Sequence, residues 1–122
     1  MSKILVVEDD ENISKAIKVR LEANGFEVLV AVDAILGMEG MVKKKPDMVL
    51  LDISMPGGNG LALAERCKNV LENPPPFIVI TASNLPGLRE KAMALGAVGF
   101  FEKPFDVDTL VPVIRDAIRN RG

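Results

Sequence analysis

Residues 48–60 read MVLLDISMPGGNG: four apolar side chains, Met48, Val49, Leu50 and Leu51, run without a polar break into the carboxylate of Asp52. A strand with one face in water alternates apolar and polar residues. An unbroken apolar run of this length instead suits a strand covered on both faces, as in a parallel sheet. The acid that closes it then stands where the strand leaves the sheet. Asp52 is either a turn or cap residue before Met55-Pro56-Gly57, or a carboxylate held at a rim to do chemistry.

Four more apolar runs flank this one: Ile4–Val7, Val28–Ala31, Phe77–Ile80 and the shorter Val98–Phe101, which suits an edge. Helix-spaced segments separate them. Ile13, Ala16, Ile17 and Leu21 predict a first helix stopped by Asn24-Gly25. Ile35, Met38, Met41 and Val42 predict a second, ended by Lys43-Lys44-Lys45-Pro46. Leu61, Ala64 and Leu71 predict a third, closed by Asn73-Pro74-Pro75-Pro76. Pro86 fits the first turn of a fourth, running through Ala92 and Leu95 to Gly96. A fifth spans about Asp106 to Asn120. Pro112 lies too deep in it to be harmless, so either the helix kinks there or it properly begins nearer Asp108. Strict strand–helix alternation predicts one α/β domain over 1–122, a five-stranded parallel sheet between helices with right-handed crossovers.

Composition narrows the chemistry. The 122 residues include no histidine and one cysteine, Cys67, which removes Ser-His-Asp and Cys-His nucleophiles and the usual Cys/His zinc sites. Carboxylates, lysine, hydroxyls and backbone remain, and the cations they suit are hard: magnesium, calcium or manganese. A net charge of −2 offers no field for nucleic acid or anionic lipid. A single cysteine, with no signal peptide or membrane span in view, predicts a cytoplasmic domain.

In open parallel α/β sheets, ligands bind beyond the carboxyl ends of the strands. The first strand delivers Glu8-Asp9-Asp10 there, the third Asp52, the fourth Thr81 followed by Ala82 and Ser83, and the fifth Lys103. Clustered carboxylates resist full ionisation unless a cation joins them, and magnesium takes a few carboxylates with phosphate oxygens and water. Thr81 and Lys103 add a hydroxyl donor and a positive charge, the groups a transferring phosphoryl needs. Together they suggest an aspartate that accepts a phosphoryl group covalently. Each piece has a plainer reading: Asp10 and Glu11 as a helix start, Thr81 as a β-former, Lys103 as a solvated lysine, Phe100 as a half-buried strand aromatic. The joint placement at strand ends favours the site. Cys67 and the methionines at helical spacing read as core filler, and Lys43–Lys45 as a solvated helix end.

ILVVEDDE (4–11), VLLDISMPGGNG (49–60), VITAS (79–83) and GFFEKPF (99–105), in that order and spacing, resemble the receiver domains of two-component response regulators, including the free-standing chemotaxis receiver. The resemblance covers essentially the whole chain. It implies a flavodoxin-like three-layer αβα sandwich with strand order 2-1-3-4-5 and five helices. It implies a signalling switch that catalyses only its own phosphorylation and dephosphorylation. Asp52 takes the phosphoryl group from a phosphohistidine of a sensor kinase or phosphotransfer protein. Mg²⁺, replaceable by Mn²⁺, is held by Asp9 and Asp52, by Glu8 through water, and by the carbonyl of Ser54. Lys103 contacts the phosphoryl oxygens beside Ala82, Thr81 swings toward them, and Phe100 follows, changing the face formed by the fourth helix, fifth strand and fifth helix. The proline after Lys103 is expected in cis, and the output is a downstream protein or a fused domain. The alternatives are a haloacid-dehalogenase-like phosphatase, which wants a second acid where Ser54 stands, and a degenerate receiver serving only as an interaction module.

Overall fold

The computed structural model describes residues 1–54, 60–83 and 86–121. The expected turn at Met55-Pro56-Gly57 and the glycines before Gly60 lie outside them. Five strands, β1 (Lys3–Val7), β2 (Glu27–Ala31), β3 (Met48–Asp52), β4 (Phe77–Thr81) and β5 (Gly99–Glu102), alternate with helices α1 (Glu11–Ala23), α2 (Ala34–Lys44), α3 (Gly60–Val70), α4 (Leu88–Ala94) and α5 (Leu110–Arg121). The sheet order is β2-β1-β3-β4-β5 with every pairing parallel. This is the flavodoxin-like order, and its central strand ends on Asp52.

The apolar runs form these strands because both sheet faces are covered. On one face Ile4, Val6, Leu50, Ile78 and Ile80 pack against Ile17 and Leu21 of α1 and Leu110 and Ile114 of α5. On the other, Leu5, Val7, Val49 and Leu51 meet Met41 of α2 and Leu63, Ala64 and Cys67 of α3. Val79 joins Leu61, Ala92 and Ala97 in a smaller cluster under α4. Residues i and i+1 of one strand therefore serve opposite layers, which explains why β1 and β3 carry no polar alternation. The methionine reading holds in α2, where Met41 is buried and Met38 packs half-buried beside it, whereas Met93 of α4 is exposed.

Local signals fix most helix ends. The side chain of Asp10 accepts from the N–H groups of Asn12 and Ile13 and caps α1; Asp33 caps α2 through Leu36 N–H. Two ends differ from expectation. Pro86 lies outside α4, because Gly87 takes φ +86° at the N-cap and the helix starts only at Leu88. The last helix begins as a 3-10 turn at Val107–Thr109, capped by Asp106, and becomes α-helical at Leu110. Of the two outcomes foreseen for Pro112, the later start is the one observed. Pro112 thus falls in the first α-helical turn, where a missing N–H removes no intrahelical bond. Among the described residues, no helix is long and apolar enough to cross a membrane.

Candidate functional site

The parallel register brings the ends of β1, β3, β4 and β5 to one rim. Glu8 directly follows β1, and its N–H donates to Ala31 O at 2.9 Å, continuing the ladder by one residue. Asp52 and Thr81 are the final residues of β3 and β4, and Lys103 follows β5 with its N–H donating to Thr81 O at 2.8 Å. Glu8, Asp52 and Thr81 are buried to about 1% exposure or less, while Asp9 faces solvent. Burying two carboxylates so completely requires compensation, which comes from a neighbouring strand end.

Lys103 supplies it. Its Nζ donates to Glu8 Oε1 and, at 3.1 Å, to Asp52 Oδ2. Asp52 Oδ1 accepts from Ser54 N–H at 2.8 Å and from Ser54 Oγ at 2.7 Å, an Asx turn reinforced by a hydroxyl. Thr81 Oγ1 accepts from Ser83 N–H at 2.9 Å. The Lys103–Pro104 peptide is cis, as expected. Ala82 is exposed beside Thr81 and shares a groove with Asn12, Ile13, Lys103 and Phe105. Phe100, opposite Val79 in the register, is half-buried in the cluster under α4, with the Arg89 guanidinium carbon 5.9 Å from its ring centre.

These contacts separate the two buried acids electrically. Burial, with the Asp52 carboxylate beside it, pushes the Glu8 carboxyl up to about 8 against the opposing pull of Lys103. Burial also acts to raise Asp52, but the bonds with Glu8, Ser54 and Lys103 outweigh it and hold that carboxyl below its usual value. For Lys103, burial acts to lower the ammonium, and its bonds to Glu8 and Asp52 overcome that and raise it. Asp52 is thus the acid held toward its ionised form, and Glu8 the one held toward its protonated form.

The donor set fits a hard divalent cation. Carboxylate oxygens of Glu8, Asp9 and Asp52 lie within 4.8 Å of one another. Glu8 Oε2 is buried with no hydrogen-bond partner among the described residues, an orphaned polar oxygen beside the cluster. All donors are oxygen, and exposed Asp9 leaves a side open to water.

Of the residues expected in the site, Glu8, Asp9, Asp52, Ser54, Thr81, Ala82 and Lys103 lie at this rim, while Phe100 lies within β5 and packs under α4. Asp10 and Glu11 are absorbed by α1, as the plainer reading had it. The direct Lys103–Glu8 pairing was not foreseen. Nor was the hydroxyl bond from Ser54 to Asp52, although a serine two residues after an aspartate is an Asx-turn signal.

The chain matches the model of the response regulator receiver domain over residues 4–115. It is 34% identical over 122 residues to the response regulator ArlR of Staphylococcus saprophyticus, covering 99% of this chain and 54% of that protein. It is 32% identical to sporulation initiation phosphotransferase F of Bacillus subtilis, covering 96% of this chain and 90% of that protein. It thus spans about half the length of some curated relatives and nearly all of another. Among solved structures, the non-phosphorylated HemR receiver domain of Leptospira biflexa superposes with a TM-score of 0.86 at 31% identity, covering 97% of this chain and 94% of the other. A CheY-like receiver domain protein of Methanospirillum hungatei gives 0.91 at 25% identity, covering 99% and 96%.

Proposed function

The chain belongs to the response regulator receiver domains, and on that premise we propose that Asp52 is its phosphoryl acceptor and that Glu8, Asp9, Asp52 and Ser54 hold the divalent cation the reaction needs. The observation that supports this best is the burial of an ionised Asp52 3.1 Å from Lys103, with two further acids within 4.8 Å.

An Asp52 carboxylate oxygen attacks phosphorus. The O–P bond forms as the P–N bond of a kinase phosphohistidine breaks, and the bonding pair returns to the departing imidazole. Oδ1 is fixed by Ser54, so the carboxylate meets the donor in one orientation. Lys103 stands ready to leave the carboxylates and pair with phosphoryl oxygens. Asp9, Asp52, the Ser54 carbonyl and, by way of water, Glu8 would hold Mg²⁺ or Mn²⁺, which would supply charge neutralisation for those oxygens. The Thr81 hydroxyl turns from Ser83 toward the phosphoryl group beside Ala82, and Phe100 shifts in response, altering the α4-β5-α5 face. The domain works in the cytoplasm, and its partners are a sensor histidine kinase or phosphotransfer protein and a downstream protein or fused output domain. The phosphatase alternative lacks its second acid: Ser54 stands there, with its hydroxyl committed to Asp52.

Incubation with Mg²⁺ and acetyl phosphate, followed by intact mass measurement, tests the reading. A single labile phosphate adduct, absent in Asp52→Asn, is the expected result. Multiple turnover of phosphomonoesters would point to the phosphatase, and neither adduct nor metal binding to an interaction module.

A further inference from the structure

Gly60 opens α3 and is buried. A Cβ at this position would lie 2.6 Å from the main-chain O of Asp52, 2.7 Å from Cα of Ile53 and 2.9 Å from Ile53 Cγ2. The two nearest atoms are backbone, so no rotamer change clears them. Gly40 in α2 also faces a strand, but the nearest atoms a Cβ there would meet are Leu5 side-chain carbons, the closest at 3.3 Å, which can turn away.

Neither partner of the Gly60 contact is free to retreat. Leu61 anchors α3 against Val79 and Ala92, and Leu63, Ala64 and Cys67 anchor it against Leu51. The peptide after Asp52 is held to β4 by Ile53 N–H donating to Ile80 O at 3.2 Å. Ser54 in turn fixes Asp52 Oδ1. A push on the Asp52–Ile53 peptide therefore reaches the carboxylate and its contact with Lys103.

We propose that Gly60 is a positioning residue for Asp52: the missing side chain lets the first turn of α3 abut the Asp52–Ile53 peptide and so sets the aim of the carboxylate. This rests on the reading of Asp52 as phosphoryl acceptor and metal ligand.

The test compares Gly60→Ala with Gly40→Ala, which adds the same methyl at another tight helix–strand contact. Both are checked for folding by circular dichroism. Two quantities are measured: the maximal rate of phosphorylation at saturating acetyl phosphate, and Mn²⁺ affinity. Gly60→Ala is expected to lower the maximal rate about 10- to 100-fold and to weaken Mn²⁺ binding, while Gly40→Ala keeps both. Unchanged rate and affinity in Gly60→Ala would overturn the proposal. So would equal losses in both variants, which would make the effect one of general packing. A Gly60→Ala chain that does not fold also counts against it, because the methyl would then have broken the seating of α3 and not the aim of Asp52. If the unsubstituted chain takes up no phosphate, the acceptor reading fails, and Mn²⁺ affinity in the two variants alone decides the role of Gly60.

Discussion

The ammonium of Lys103 lies 3.1 Å from Asp52 Oδ2 and also donates to Glu8 Oε1, so one cation from the end of β5 serves two buried carboxylates from β3 and the end of β1. Lys103→Met keeps the length of the side chain and removes its charge. Phosphate uptake from acetyl phosphate is expected to fall about 10²–10³-fold, the usual loss for one donor to a transferring group. Time courses by intact mass measure it, and a rate within twofold of the unsubstituted protein would refute the assignment.

The pH dependence follows from Glu8. Its folded value, about 8, is raised above the ordinary 4.5, so the folded state keeps a proton that the unfolded chain releases. The resulting stabilisation is complete below about 4.5 and is lost as pH rises through about 8, by about 1.4 kcal/mol per unit while a full proton is exchanged. Asp52, lowered from 3.8, acts only at more acid pH, where its contribution is lost as pH falls. Without metal, the urea midpoint should therefore fall between pH 5 and 8. Glu8→Gln should flatten that slope, and millimolar Mg²⁺ should offset the loss at the alkaline end. A midpoint that rises over this range would contradict the burial of Glu8 as a protonated acid.

Cys67 should be a slow nucleophile. It is 5% exposed, its Sγ lies 2.9 Å from Met41 Sδ, and burial pushes its thiol up to about 11. At pH 8 roughly one thiol in a thousand is ionised, and that fraction is shielded as well. Labelling by a disulfide reagent should track unfolding by urea, with little reaction below the transition. Rapid labelling of the folded protein would show that α3 opens locally.

Thr81→Val keeps the shape of a fully buried side chain and removes the acceptor for Ser83 N–H. A stability loss of about 1–3 kcal/mol is expected. The phosphate adduct should still form, since Asp52 is intact. The change it causes in the Phe100 ring signals by nuclear magnetic resonance should shrink. An undiminished Phe100 response would uncouple Thr81 from the α4-β5-α5 face.

How much of this was legible in the sequence depends on the range of the interaction. The β3 run and its four companions declared buried parallel strands because both faces are covered, and Asp52, Thr81 and Lys103 could be placed at one rim from strand ends alone. Asp10 was readable as a cap because a cap acts within three residues. Pro86 misled: its fixed φ suits a helix start, but Gly87 adopts φ +86° and delays α4 to Leu88. The 3-10 entry to α5 was visible only as a conflict around Pro112. The Lys103–Glu8 pair spans 95 positions and depends on the strand order, which periodicity alone does not specify. The tight seat of Gly60 against the Asp52 carbonyl likewise leaves no mark in the sequence beyond a glycine before an apolar turn.

The helix beside the rim contrasts with the strands that form it. α4 has seven residues and only Ala92 fully buried, whereas β1, β3 and β4 are almost wholly enclosed. Local opening costs least where little apolar surface is removed from water. The amide hydrogens of α4 should thus exchange with solvent far sooner than those of β3, giving the molecule a soft edge next to a stiff centre. The Phe100 shift proposed above would then proceed by partial melting and re-forming of α4, while Asp52 stays in register with Ile80.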